Sequence, residues 1–532
     1  MKFTFDAPDE CLKKIWRGIS VQVKFAFFGT IIIGLMTHLY QFTNKLYNYD
    51  ELANMPAGYG TGAESGRWFL TLLGDKLAVE FGNYSIPLLN GMISVLLLAV
   101  SAALVVDMFR VKSKFFATAI GGFMVAFPAV VCSFYFMYTV VFYYLALFMS
   151  VLAAYLVVKF PKNILLHGVS VVLIACAIGT YQSYYSNTAC LLLMMVIMLC
   201  VGIDGEKNWK EILMTAVRYL AVLILGMVLY FVLNKFFLAF WGMSLNSYQG
   251  IDSMGQITPA QLFDAIKTCY KEFIGLCHKH VSYLNPTSHV KRCFVLIMLI
   301  YAVGAFTKIF CEKGCIIKKV FLGIGFILIP VGSFLVYIMV PNGWVYTLME
   351  YSVVFVPIFG LIWAEHYTIS FDKKEILRKM MQWTAALCAV VMLVVYIWYG
   401  NGCYLSLEYT KYHDMAYYET MVTQIKSAEG YRDELPVALI GDTITDETHT
   451  MGSMMGLTFG MDGKIETNIN SYTRTFIITK LLGFAPRFCG YEEIQALMEN
   501  EEVKEMPCYP DAGSIKVIND TVVVKIIEIP ES

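Results

Sequence analysis

The sequence predicts an all-α polytopic membrane protein of about eleven transmembrane helices, with a small α/β domain at its carboxyl end. Three observations carry this expectation. Of 532 residues, 58% are hydrophobic and 15% charged, with a mean hydropathy of +0.61, whereas a soluble domain has roughly 25% charged residues. The apolar residues gather into long segments, and a helix needs about 20 of them to cross the roughly 30 Å hydrocarbon core. After Asn401 the composition changes to ten basic and twenty-one acidic side chains over residues 402–532, which marks a water-soluble stretch.

The apolar segments are 22–40, 87–106, 115–131, 139–158, 164–180, 188–203, 212–234, 293–310, 320–339, 350–367 and 383–400. They do not alternate with period two, which excludes a β-barrel. The first is too long, and too poor in small-residue cleavage signals, for a removed signal peptide. Orientation follows from lysine and arginine placement. Twenty basic residues fall on one side, among them Lys13, Lys14, Arg110, Lys112, Lys318 and Lys374, against nine on the other. The amino terminus is therefore expected inside and the carboxyl end outside. On this reading residues 1–401 form the membrane domain, with external loops at 41–86 and 235–292. Residues 402–532 form an extracytoplasmic domain.

The second loop contains a stripe at helical spacing from Pro259 to about Val281, through Leu262, Ile266, Tyr270 and Phe273. Such a helix suits the membrane interface, a lid over a pocket, or plain packing. In the tail, a helix over 414–428 ends at Gly430 and leads through Pro436 to a strand, Val437 to Ile440. Two further strands, Ser514 to Ile518 and Thr521 to Ile526, flank Asn519-Asp520, the pattern of a hairpin with a two-residue turn.

Several chemistries are excluded. A net charge of −1 offers no basic surface for nucleic acid. The sequence holds no phosphate loop, dinucleotide fingerprint or serine elbow, so nucleotide-driven transport is not expected. Fourteen cysteines fall mostly within apolar segments, as small apolar residues do. The eight histidines are scattered, with no metal-ligand spacing. No metal and no cofactor are expected.

The informative stretch is the first external loop. Asn48-Tyr49-Asp50-Glu51 is followed by Gly60-Thr61-Gly62-Ala63-Glu64-Ser65-Gly66-Arg67-Trp68. A carboxylate beside an acceptor hydroxyl can act as general base. An arginine can hold a phosphate through two parallel hydrogen bonds. A tryptophan can stack on a sugar face or anchor at the interface. Taken alone, an Asp-Glu pair in a loop is equally an ordinary solvated surface. A second polar-aromatic run, Tyr181-Gln182-Ser183-Tyr184-Tyr185-Ser186-Asn187, sits between two apolar segments, where polar groups are costly unless paired or lining a watery cavity. Gln182 and Asn187 could bind sugar hydroxyls, with Tyr181 and Tyr185 as walls; a tight helical hairpin satisfying its own backbone is the alternative. Glu350-Tyr351 is a weaker candidate, and Arg218 reads as a snorkelling side chain.

The Asn48–Trp68 loop resembles that of the bacterial O-antigen glucosyltransferase family, multi-pass enzymes that use undecaprenyl-phosphate-linked glucose and are similar to the larger GT-C class. Asp50-Glu51 stands where that family has paired acids, and Gly66-Arg67-Trp68 matches its Gly-Arg-Trp. Gly179-Thr180-Tyr181-Gln182 and Met506-Pro507-Cys508-Tyr509-Pro510 are similar as well. The resemblance implies a GT-C-like membrane glycosyltransferase in a bacterial cytoplasmic membrane. Its partners would be a polyprenyl-phosphate sugar donor, a glycan acceptor and the lipid bilayer. Asp50 or Glu51 would be the base, and Arg67, Lys235 or Arg292 would hold the donor phosphate. Trp68, Tyr181, Gln182, Tyr185 and Asn187 would meet the sugar or acceptor. The competing expectations are a transporter or flippase of lipid-linked sugars, or a polysaccharide polymerase.

Overall fold

The computed structural model describes residues 7–54, 58–81, 85–247, 257–278, 284–340, 343–367, 374–441 and 469–529. Each of the eleven apolar segments contains helix, with breaks at Phe127 and at Phe334–Leu335 and a turn at 201–203. Among the described residues, nine helices are long and apolar enough to cross a membrane. The bent pair Lys114–Ala126 and Pro128–Phe134 makes a tenth if counted as one span, and Ile164–Thr180 is a shorter apolar helix. The chain is a helical polytopic protein with a small mixed sheet.

The helices start where the sequence supplies caps. Ser20 Oγ accepts from Val23 N, Asn163 Oδ1 from Leu165 N and Leu166 N, and Asn208 Oδ1 from Glu211 N, each satisfying amides that no preceding turn can reach. Pro87 and Pro128 open their helices at the first turn, where a missing N–H costs nothing. Pro128 also explains the 42° bend that follows Ala126. A proline cannot donate to the preceding turn, and its ring clashes there.

Contacts along the chain divide it into two compact units. Of the described residues, the first takes in those up to Asn44 and those from 58 to Asn401, and the second takes in 45–54, 402–441 and 469–529. The single helix Lys374–Ser427 contributes to both.

Several local expectations change within the first unit. The region 41–86, expected as more than a connector, carries the helix Trp68–Phe81. Lys235 lies inside the helix Trp209–Trp241, and Arg292 inside Ser288–Phe306, rather than in a connecting loop. The run 181–187 splits into a tight turn at Gln182–Tyr184 and the first turn of the helix Tyr185–Cys200. The stripe at 259–281 forms the helix Pro259–His278; 279–281 lie outside the described residues. This helix packs against its neighbour, with Cys269 Sγ on Phe334 O at 3.2 Å and Tyr270 Oη on Ile327 O at 2.6 Å. Of the three uses open to it, packing is the one visible.

In the second unit, β1 (Val437–Ile440) runs parallel to β3 (Thr521–Lys525), and β2 (Ile515–Ile518) pairs antiparallel on the other edge of β3. Asn519 and Asp520 both have positive φ, 49° and 54°, as the expected two-residue hairpin turn requires. The period-two alternation of β3 divides the core. Val522 and Val524 face one cluster with Tyr418, Met421, Ile425, Val437 and Leu439, while Val523 faces another with Ile440, Val503, Met506 and Ile518. Tyr47 and Leu52 join the first of these clusters, although they lie more than three hundred residues before it in the chain.

Candidate active site

In the first unit the two sequence motifs meet. Ala63–Ser65 makes one short turn that closes on Gly66, with φ +72°, a conformation that an L side chain adopts only with strain. The chain then enters the helix at Trp68. The Trp68 ring stacks on Phe237, with centroids 4.8 Å apart and planes 7° from parallel. It also lies against Gly179, so closely that a Cβ there would sit 2.6 Å from the indole. Gln182 Nε2 donates to Ser65 O at 2.7 Å, Tyr230 Oη to Gly66 O at 3.1 Å, and Asn246 Nδ2 to Ser65 Oγ at 3.1 Å. Each such bond contributes about 1 kcal/mol, and leaving a buried partner unmet costs more.

Arg67 is thereby held in place. Its side chain is 8% exposed, and its guanidinium lies 4.7 Å from the centroid of the Tyr181 ring. Nη1 donates to Thr61 Oγ1 at 3.2 Å, while the buried Nε has no hydrogen-bond partner. Among the described residues no carboxylate pairs with it. A cation withdrawn from water needs either a counter-charge or several good acceptors. Arg67 has one hydroxyl and one ring face.

The remaining candidates separate. Tyr185 Oη turns to Leu223 O at 3.4 Å. Asn187 is 1% exposed, and neither end of its amide has a partner; Tyr184 Oη and Ser186 Oγ are in the same condition. Tyr143, Tyr181, Tyr184 and Tyr351 follow one another at ring spacings of 4.7, 5.8 and 6.3 Å, an aromatic path leading from Arg67 into the helices. Lys235 is exposed. It stands two residues before Phe237, about 200° around the helix, and so faces away from Trp68. Arg292 is exposed while its neighbour Lys291 is 8% exposed, so the inward cation of that pair is Lys291. Glu350 accepts from Tyr337 Oη at 3.1 Å. Arg218 reaches Pro161 O at 2.8 Å.

Sequence reasoning missed Tyr230, Phe237 and Asn246. Tyr230 and Phe237 are seven residues apart, hence on one face of their helix. That stripe was visible, but its target was not.

The acidic pair belongs to the second unit. Asn48 Oδ1 accepts from Glu51 N at 2.6 Å and starts the short helix Tyr49–Ala53. Glu51 is 1% exposed and pairs with Lys45 at 3.3 Å. Asp50 is half-buried, and its Oδ1 accepts from Tyr472 Oη at 3.3 Å. Lys411 Nζ donates to Lys45 O at 2.8 Å and lies over the Tyr47 ring. Burial, and then the Asp414 charge, push the Tyr47 hydroxyl above its usual range. Among the described residues no group of three or more His, Cys, Asp or Glu could hold a metal ion.

Residues 39–357 match the family model described as glucosyl transferase GtrII. The chain belongs to the GtrII glucosyl transferase family. No curated protein and no solved structure matches it. The span that matches the GtrII family takes in Asp50, Glu51, Arg67 and the whole 179–187 run, and it ends before the long helix Lys374–Ser427 begins.

The packing of Trp68 on Gly179 supplies a stability test within one helix. Gly179→Ala should destabilise the protein by about 1–3 kcal/mol, since the new methyl drives the indole from its place. Gly168, in the same helix, has no heavy atom within 4 Å of its Cβ position. Gly168→Ala should therefore stabilise by up to about 1 kcal/mol through helix propensity. Thermal unfolding of the two variants in detergent should move in opposite directions.

Proposed function

We propose that this GtrII family member transfers a hexosyl group, glucose in keeping with its family, from a polyprenyl-phosphate donor to a glycan acceptor outside a bacterial cytoplasmic membrane. The observation that carries the reading is Arg67, a nearly buried guanidinium with no carboxylate partner among the described residues and a bare Nε, flanked by aromatic rings and amides of the kind that line sugar sites. A phosphate supplies the counter-charge that this cation lacks, with bidentate geometry.

In the proposed reaction the acceptor hydroxyl attacks the anomeric carbon while Asp50 takes its proton. The bond from the anomeric carbon to the phosphate oxygen breaks, and its electron pair leaves with the phosphate. A phosphate monoester has a second pKa near 6, so it departs without a general acid. Arg67 stabilises the charge gathering on it. Direct displacement inverts the anomeric centre. Asp50 is favoured over Glu51 because Glu51 is buried and salt-bridged to Lys45, whereas Asp50 is partly open. Trp68, Tyr181 and Gln182 belong with the sugar, and Tyr185 and Asn187 with the deeper wall. Lys235 and Arg292 have no direct contact with the phosphate in this scheme. A transporter would place its polar groups near the bilayer midplane, in repeats of opposite topology.

The deciding experiment incubates purified protein with radiolabelled polyprenyl-phosphate glucose and an acceptor glycan. Transfer with inverted anomeric configuration supports the reading. Movement of donor across vesicle walls without transfer overturns it in favour of a transporter.

The topology is tested separately. Cysteines placed at the exposed positions Lys112 and Lys379 should resist a membrane-impermeant thiol reagent in intact cells. Cysteines at Glu64 and Glu501 should react. A protected Glu501 position would put the carboxyl-terminal unit inside.

A further inference from the structure

Besides Lys45 and Asn48, several groups that hold the acidic segment in place come from beyond the part of the chain that matches the family. Tyr47 and Leu52 are 1% and 0% exposed, in a cluster with Tyr418, Met421, Ile425 and Leu435. Lys411 holds the backbone at Lys45. The tyrosine Tyr472 reaches the Asp50 carboxylate itself, at 3.3 Å, and its ring meets that of Tyr49 edge-on at 6.4 Å. Tyr418, Met421, Ile425, Leu435, Lys411 and Tyr472 all lie after residue 357, where the family match ends.

We infer that the carboxyl-terminal unit is part of the transferase machinery, with Tyr472 as a positioning residue that orients the Asp50 carboxylate through its hydroxyl. The inference rests on the assignment of Asp50 as base. A carboxylate on a short five-residue helix has free rotation about its side-chain bonds unless something fixes it. A hydroxyl donor on Oδ1 selects one rotamer of the carboxylate. The neutral Tyr472 phenol gives up no proton in the step; the proton passes from the acceptor hydroxyl to Asp50 alone. Tyr472 is 52% exposed, so its hydroxyl contributes little to folding.

The hypothesis makes a split in kinetic parameters the measurement of choice. In the full-length protein, Tyr472→Phe should lower kcat by about 10-fold, as for loss of one hydrogen bond to a charged group. KM for donor and acceptor should stay within about two-fold, and the melting temperature should be unchanged. A normal kcat overturns the inference, and so does a raised KM at unchanged kcat, which would make Tyr472 a substrate contact. Asp50→Asn is assayed beside it. If that variant keeps wild-type kcat, the base assignment itself falls. If it is impaired while Tyr472→Phe is not, only the role of Tyr472 falls.

Discussion

Asp50→Asn should reduce sugar transfer by about 10²–10⁴-fold, the usual contribution of a general base, with the protein still folded and still binding its lipid donor. Asparagine keeps the shape of the side chain and can still accept from Tyr472 Oη, so the local geometry survives. The lost property is the ability to take a proton. Glu51→Gln is the informative companion. Glu51 is enclosed and paired with a lysine whose side chain is 39% exposed, and a pair so open to water on one side contributes less than about 1 kcal/mol. Its amide should therefore be mild in both activity and stability. The opposite ranking, with Glu51→Gln the severe change, would move the base by one residue. Near-normal rates in both would remove this segment from the chemistry. Initial rates with radiolabelled donor, at saturating acceptor, distinguish the three.

Arg67→Lys should cost about 10-fold or more in kcat/KM for the donor, and Arg67→Met about 10- to 150-fold. The larger range corresponds to 1.5–3 kcal/mol for a charge-assisted hydrogen bond. Lysine keeps the charge but cannot present two parallel donors or lie flat on Tyr181. Folding should behave differently from activity. Removing a buried cation that has no carboxylate partner among the described residues relieves a desolvation cost, offset by the lost contacts to Thr61 and Tyr181. Arg67→Met should thus melt within a few degrees of the wild type while transfer collapses. A loss of activity that merely tracks unfolding would mean that Arg67 holds the loop rather than the phosphate. Thermal melting and donor titration on the same preparations separate these.

The helices were legible because burial in lipid imposes a composition, and composition is local. The Asn519-Asp520 hairpin was legible because a turn chemistry of two residues is local too. Both motif runs, 60–68 and 179–187, could be seen as unusual, but their union could not. The bond from Gln182 to Ser65 spans 117 positions, and neither residue carries a mark of the other. Harder still was the allegiance of Tyr47 and Leu52. They read as part of the first external loop, yet they complete a core whose other members begin at Tyr418. Tyr472 meets Asp50 across 422 positions. Lys235 and Arg292 were chosen for charge and for their expected place in a loop, and only the helical phase, which requires knowing where each helix ends, reveals which way each faces.

The setting of Arg67 has a consequence for how a scarce lipid substrate is captured. Fixing a mobile arginine side chain at the moment of binding forfeits roughly 2 kcal/mol of rotamer entropy. Here much of that freedom is already spent, because the guanidinium lies on the Tyr181 ring and bonds Thr61 Oγ1 within a side chain nearly closed off from water, on a backbone tied at Gly66 to Tyr230 and at Ser65 to Gln182. The ordering is done during folding, far from any encounter with donor. Association then resembles a key meeting a rigid lock, and affinity differences among lipid-phosphate sugars should lie in how long each stays rather than how fast each arrives.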